Sequence, residues 1–176
     1  KFGYVISALR NFYKKFKDEK DVRNSGVVLQ IESQFGDAVS MGTSASVTTG
    51  VVAALRELYG NLLGSTKYMN LRQTFELAFE SHNDAQEKEG SGFDVAASIY
   101  GGTLKYKMGG DMIQQLNDVE SLTLAHVSIQ KLKKRTKDAI KQVRKEMEKN
   151  PEHYQRQWDK MEQITNDGVD ALKSKN

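Results

Sequence analysis

A β-branched run, a turn of glycine and hydroxyl residues, and a long apolar stripe follow one another directly in the segment GVVLQIESQFGDAVSMGTSASVTTGVVAAL, residues 26–55. VVLQIES reads as a strand of about six residues, and Phe35 to Gly42 as a loop. From Ser44 onward, Val47, Val51, Val52, Leu55, Leu58 and Leu62 recur at helical spacing, with a stop near Gly60 or Gly64. A strand that passes through Gly42-Thr43-Ser44 into a buried helix confines the chain to mixed α and β architecture.

The same turn carries chemistry. The first N–H groups of a helix have no intrahelical partner, and with the helix dipole they favour an anion. Thr43, Ser44 and Ser46 add hydroxyls suited to phosphate oxygens or to a phosphate-bound magnesium. The alternative is that Thr43 or Ser44 only caps the helix. The Gly-x-x-x-x-Gly-Lys-Ser spacing of a P-loop is absent.

A second turn, GSGFD at Gly90 to Asp94, sets one carboxylate ahead of the apolar segment Val95 to Tyr100. Near a phosphoryl acceptor, such an aspartate takes or orients a proton and helps hold magnesium. Gly90 and Gly92 would let backbone approach a substrate with no Cβ in the way. Asp94 would equally serve as a cap for the helix that follows, and the two roles are compatible.

The remaining segments supply a core. Tyr4, Val5, Ala8, Leu9, Phe12, Tyr13 and Phe16 share one helical face, as do Leu71, Phe75, Ala78, Phe79 and His82. LKYK reads as a short strand closed by the turn MGGD, and SLTLAHVSI as a further strand running into the basic stretch Lys131, Lys133, Lys134, Arg135. Ala139, Ile140, Val143 and Met147 line another helix. Asn150-Pro151 starts the last one, whose stripe of Tyr154, Trp158, Met161 and Ile164 reads as core. His82, His126 and His153 fall on different elements and read as packing or surface groups.

Composition removes several function classes. The chain of 176 residues has no cysteine, which excludes disulfides, thiol nucleophiles and zinc ribbons and suits a cytoplasmic protein. Three scattered histidines argue against a metal-centred enzyme. A net charge of +3 is too small to make nucleic acid the expected partner. No apolar run approaches a membrane span, and no targeting segment is visible.

Two motifs carry a resemblance. MGTSAS and, some forty residues on, HNDAQEKEGSGFDVAASIYGG resemble two of the three signature motifs of the GHMP kinases, and Ala85 to Gly101 is most similar to phosphomevalonate kinases. The family's Gly-Leu-Gly-Ser-Ser-Ala loop falls on Ser40 to Ala45, with Ser40 for its first glycine and Thr43 for its first serine. The resemblance implies an α+β GHMP kinase fold: a ribosomal-protein-like N-terminal ATP-binding portion over 1–110 and the beginning of an α+β C-terminal domain over 111–176, incomplete at both ends.

The implied activity is ATP- and magnesium-dependent phosphoryl transfer to 5-phosphomevalonate. Another GHMP small-molecule kinase and a non-catalytic ribosomal-protein-like binding module are the alternatives. The implied site places Met41, Gly42, Thr43, Ser44, Ala45 and Ser46 around the ATP phosphates, with Ser44 reaching magnesium. Asp94 and Lys88 would be catalytic, and Ser91, Gly92 and Thr136 would contact a phosphorylated small-molecule substrate. A homodimer through the C-terminal helices is compatible with each reading.

Overall fold

The computed structural model describes residues 2–32, 42–63, 69–87, 90–116 and 136–174, without the side chains of 62, 63 and 136–139. The chain divides into two compact units, Lys1–Gln115 and Leu116–Asn176. In the first, α1 (Phe2–Lys15), α3 (Thr43–Leu63) and α4 (Leu71–Ala85) pack on one another, and α5 (Phe93–Tyr100) lies against α3 and α4. The short α2 (Lys20–Arg23) joins α1 to the segment that precedes α3.

Each long helix buries the stripe that its spacing announces. Ala8 and Phe12 of α1, Val51, Val52 and Leu55 of α3, and Phe75 and Ala78 of α4 form one core. The α3 stripe is rotated from expectation at its far end, where Leu58 is 49% exposed and Tyr59 is buried in its place. Residues 51, 55 and 59 are successive i, i+4 positions on one face. The Tyr59 hydroxyl meets the hydroxyls of Tyr13 at 2.9 Å and Ser25 at 2.8 Å, which satisfies its polar end inside the core. Asn70 starts α4 through a reciprocal cap, its side chain accepting from Gln73 N while the Gln73 side chain accepts from Asn70 N.

The expected first strand is corrected. Residues 27–32 form no ladder among the described residues, although Val27 and Leu29 pack on the core and Val28 is 99% exposed. The period of two is there without a partner edge among the described residues. The described sheet has two strands, β1 (Thr103–Tyr106) and β2 (Ile113–Leu116), with a 3-10 turn at Met108–Gly110 between them. Leu104 to Tyr106 of LKYK are thus found in a strand, and the mostly helical described residues with their small sheet agree with the α+β class. The expected strand SLTLAHVSI and the basic stretch 131–135 lie outside the described residues, as does His126.

The second unit contains α6 (Thr136–Lys149) and α7 (Pro151–Lys173), a helical pair split at Asn150-Pro151 with proline in the first turn. The expected core stripe of α7 is largely corrected: Trp158 is 43% exposed, Met161 56% and Ile164 59%. Among the described residues of this unit α7 packs on α6 alone, and one helix does not cover a whole apolar face. No described helix is long and apolar enough to cross a membrane.

Candidate functional site

The site begins with Gly42. Its φ of +68° lies in the left-handed region, where a glycine turns the chain into α3 without steric cost. The Ser46 N–H donates to the Gly42 carbonyl at 2.9 Å, so the N–H groups of Thr43, Ser44 and Ala45 precede the first bond of that ladder. Several hydroxyls nearby are turned back on the helix. Ser46 Oγ donates to the Gly42 carbonyl, Thr48 Oγ1 to that of Ser44 and Thr49 Oγ1 to that of Ser46. Ser44 Oγ instead faces His82 Nε2 at 3.2 Å.

His82 stands in the last turn of α4 and is 1% exposed. Tyr4 of α1 stacks on its ring, centroids 5.2 Å apart, and its Nδ1 is buried with no hydrogen-bond partner. Its Nε2 also lies 3.9 Å from Asp94 Oδ2. Burial lowers the pKa of the imidazole from its ordinary value and outweighs the opposite pull of the Asp94 carboxylate, so the ring is held neutral.

Asp94 occupies the first turn of α5, two residues beyond its N-cap, Gly92. Its Oδ1 accepts from Val95 N–H at 2.9 Å, and its Oδ2 is the oxygen nearer His82. The cap expected of Asp94 therefore belongs to Gly92, while the aspartate still satisfies one free N–H of the first turn. A Cβ placed on Gly42 would stand 3.8 Å from Asp94 Cβ, so the starts of α3 and α5 adjoin.

The glycines of the second turn serve packing. A Cβ on Gly92, whose φ is +86°, would meet the Phe79 ring at 2.5 Å and the Tyr106 hydroxyl at 2.7 Å. One on Gly90 would collide with Asn83 Oδ1. The space left by the missing side chain at Gly92 is thus filled by protein. The Ser91 carbonyl accepts from Tyr106 Oη at 2.7 Å and from Gly109 N–H at 3.3 Å, which fixes the turn against β1 and the segment beyond it.

Among the predicted site residues, the fold brings Gly42, Ser44 and Asp94 together. Thr43 opens α3, Ala45 is fully buried and Ser46 is exposed. Met41 and Lys88 lie outside the described residues. Thr136 opens α6 in the second unit. His82, read from sequence as a packing or surface group, is the addition. Its position on the apolar stripe of α4 was the available signal, because a histidine in such a stripe needs a polar partner.

The residues fit a phosphate with its counter-ion. The N–H groups of a helix's first turn and its dipole favour an anion, and Ser44 and Asp94 offer two oxygen donors beside it. No cluster of three metal-ligating side chains occurs among the described residues, so magnesium here would take most of its ligands from phosphate and water. One open depression of about 400 Å³ runs from Ser46 along Thr49, Arg56 and Thr74, and another of about 390 Å³ lies along Phe75, Phe79 and Asn83. The convergence of polar groups defines the site better than concavity does.

Residues 3–102 match the family described as GHMP kinases N terminal domain. The chain is 28% identical over 109 residues to a mevalonate kinase of Thermococcus onnurineus, covering 62% of this chain and 30% of that protein. A mevalonate kinase of Saccharolobus solfataricus is 29% identical over 165 residues, 93% of this chain and 46% of its own length. The phosphomevalonate kinase erg8 of Aspergillus fumigatus is 30% identical over 124 residues, 66% and 25% respectively. The chain thus spans between a quarter and about half the length of these relatives. No solved structure matches it.

Proposed function

We propose that this chain, which belongs to the GHMP kinases, carries the phosphate-handling portion of a kinase that transfers the γ-phosphoryl group of ATP to 5-phosphomevalonate. The observation that supports this most is the meeting of two helix starts at Ser44 and Asp94, one whose first N–H groups precede its hydrogen-bonded ladder and the other carrying a carboxylate. The names of the relatives support a kinase of the mevalonate route. The phrase Ala85 to Gly101 favours the phosphorylated acceptor.

In this reading, residues 1–110 form the ATP-binding portion and 111–176 begin a second domain. The loop Met41 to Ser46 binds the nucleotide phosphates, and Ser44 Oγ is a magnesium ligand. When bound, magnesium would supply charge neutralisation at the phosphates. Asp94 orients the acceptor and holds charge beside it, and Lys88 offsets negative charge there. Ser91 and the Gly92 backbone contact the acceptor. The chemistry needs positioning and electrostatics, which backbone N–H groups, hydroxyls and one acid supply.

The mevalonate kinases among the relatives favour mevalonate as a second reading of the acceptor. Titration calorimetry with magnesium-ATP, then with 5-phosphomevalonate and mevalonate in parallel, separates them. Saturable nucleotide binding that Ser44→Ala weakens, followed by binding of the phosphorylated acceptor alone, is expected. A folded chain that binds no nucleotide overturns the reading, and a preference for mevalonate reassigns the acceptor.

A further inference from the structure

Three groups from three helices meet where the phosphate-binding reading needs a hydroxyl of fixed orientation. Ser44 Oγ has one proton to donate and two lone pairs, so the partner it already has determines what it offers a ligand. That partner is His82 Nε2, at 3.2 Å. The direction of the bond follows from the tautomer, and the surroundings favour one tautomer over the other.

If the proton sat on Nδ1, it would be a buried donor with nothing to receive it, since that atom has no hydrogen-bond partner. Orphaned buried N–H groups are rarer than under-used acceptors. The Ser44 proton would also be turned inward to reach Nε2. With the proton on Nε2, the N–H points at Ser44 Oγ and lies 3.9 Å from the carboxylate oxygen of Asp94, which favours a partial positive charge there. Tyr4 stacks on the ring, which limits how far the imidazole turns.

We propose that His82 is the positioning residue of this site: as its Nε2–H tautomer it donates to Ser44 Oγ, turns the Ser44 hydroxyl proton and one lone pair outward to the phosphate and its counter-ion, and links the starts of α3 and α5. The inference rests on the phosphate-binding reading of α3. It gives His82 a role that packing alone does not require, because a leucine of similar volume would fill the space and leave Ser44 undirected.

The experiment uses the full chain in two measurements. Long-range proton–nitrogen NMR of the ligand-free, nitrogen-15-labelled protein reads the tautomer, with the His82 signals identified by their loss in His82→Gln. The proton is expected on Nε2, and a proton on Nδ1 overturns the proposal. Magnesium-ADP affinity is then compared among variants. His82→Gln, whose amide N–H substitutes for Nε2–H, is expected to stay within about threefold of the native chain, and His82→Leu to weaken by about tenfold, as for one directed hydrogen bond.

With Ser44→Ala already in place, His82→Leu is expected to cost nothing further. Native affinity in a folded His82→Leu, or equal loss in the Gln and Leu variants, overturns the proposal. Where His82→Leu does not fold, the tautomer and His82→Gln decide. A native chain that binds no magnesium nucleotide brings down the functional reading and this inference with it, whereas native binding with the wrong tautomer brings down the inference alone.

Discussion

The core of the first unit and the last helix of the second carry the same kind of sequence pattern and reach opposite ends. Phe12 in α1 is 1% exposed and Phe75 in α4 is fully buried, while Trp158 in α7, at the same kind of stripe position, is 43% exposed. The periodicity is sound in all three. The difference lies in what packs across from it: α1, α3 and α4 each face the other two, and α7 has only α6 among the described residues of its unit. An amphipathic pattern states that a face exists and leaves open what covers it.

The contrast is sharpest in truncations. Phe12→Ala, which empties a site ringed by Phe16 and Tyr59, is expected to cost about 3–5 kcal/mol in denaturant unfolding. Gly92→Ala comes next, at about 2–4 kcal/mol, because its Cβ meets Phe79 and Tyr106 at a positive φ. A neutral Gly92→Ala would show that the turn relaxes and that the packing there is loose.

Acid adds a smaller effect within the first unit. Burial lowers the pKa of His82 from 6.5, so below that value the unfolded chain takes up the proton more readily than the folded one. The stability contributed by neutral His82 is complete above about pH 6.5 and is lost as the pH falls toward the folded pKa. Melting temperatures of the native chain and His82→Gln across pH 5–8 check this: the native curve should fall more steeply on the acid side.

Trp158→Ala is expected to have the smallest effect, under about 1 kcal/mol, as for a half-exposed side chain. A loss as large as that of Phe12→Ala would break the comparison, since it would mean that the α7 stripe is covered.

Much of the fold was legible in the chain. The helices of the first unit follow from stripes that bury on one side, and the start of α3 from Gly42 and the hydroxyls after it. Tyr59 was missed because its hydroxyl hides how apolar its ring is, and its partners Tyr13 and Ser25 are remote in sequence. The strand at 27–32 was read from β-branched residues that do alternate, but ladder pairing is a property of two segments and one segment's composition cannot report it.

The sequence by itself determined which local structures are favourable, because propensity, helical spacing and the positive φ of a turn glycine act within a few residues. It also carried the two motifs that place the chain among the GHMP kinases. Only the tertiary structure decided that Ser44, His82 and Asp94 converge. They are separated by 38 and 12 positions and belong to three helices. Their meeting depends on how α3, α4 and α5 pack, which is fixed by the shape of the shared core and by a glycine at 92 that lets Phe79 and Tyr106 close over it.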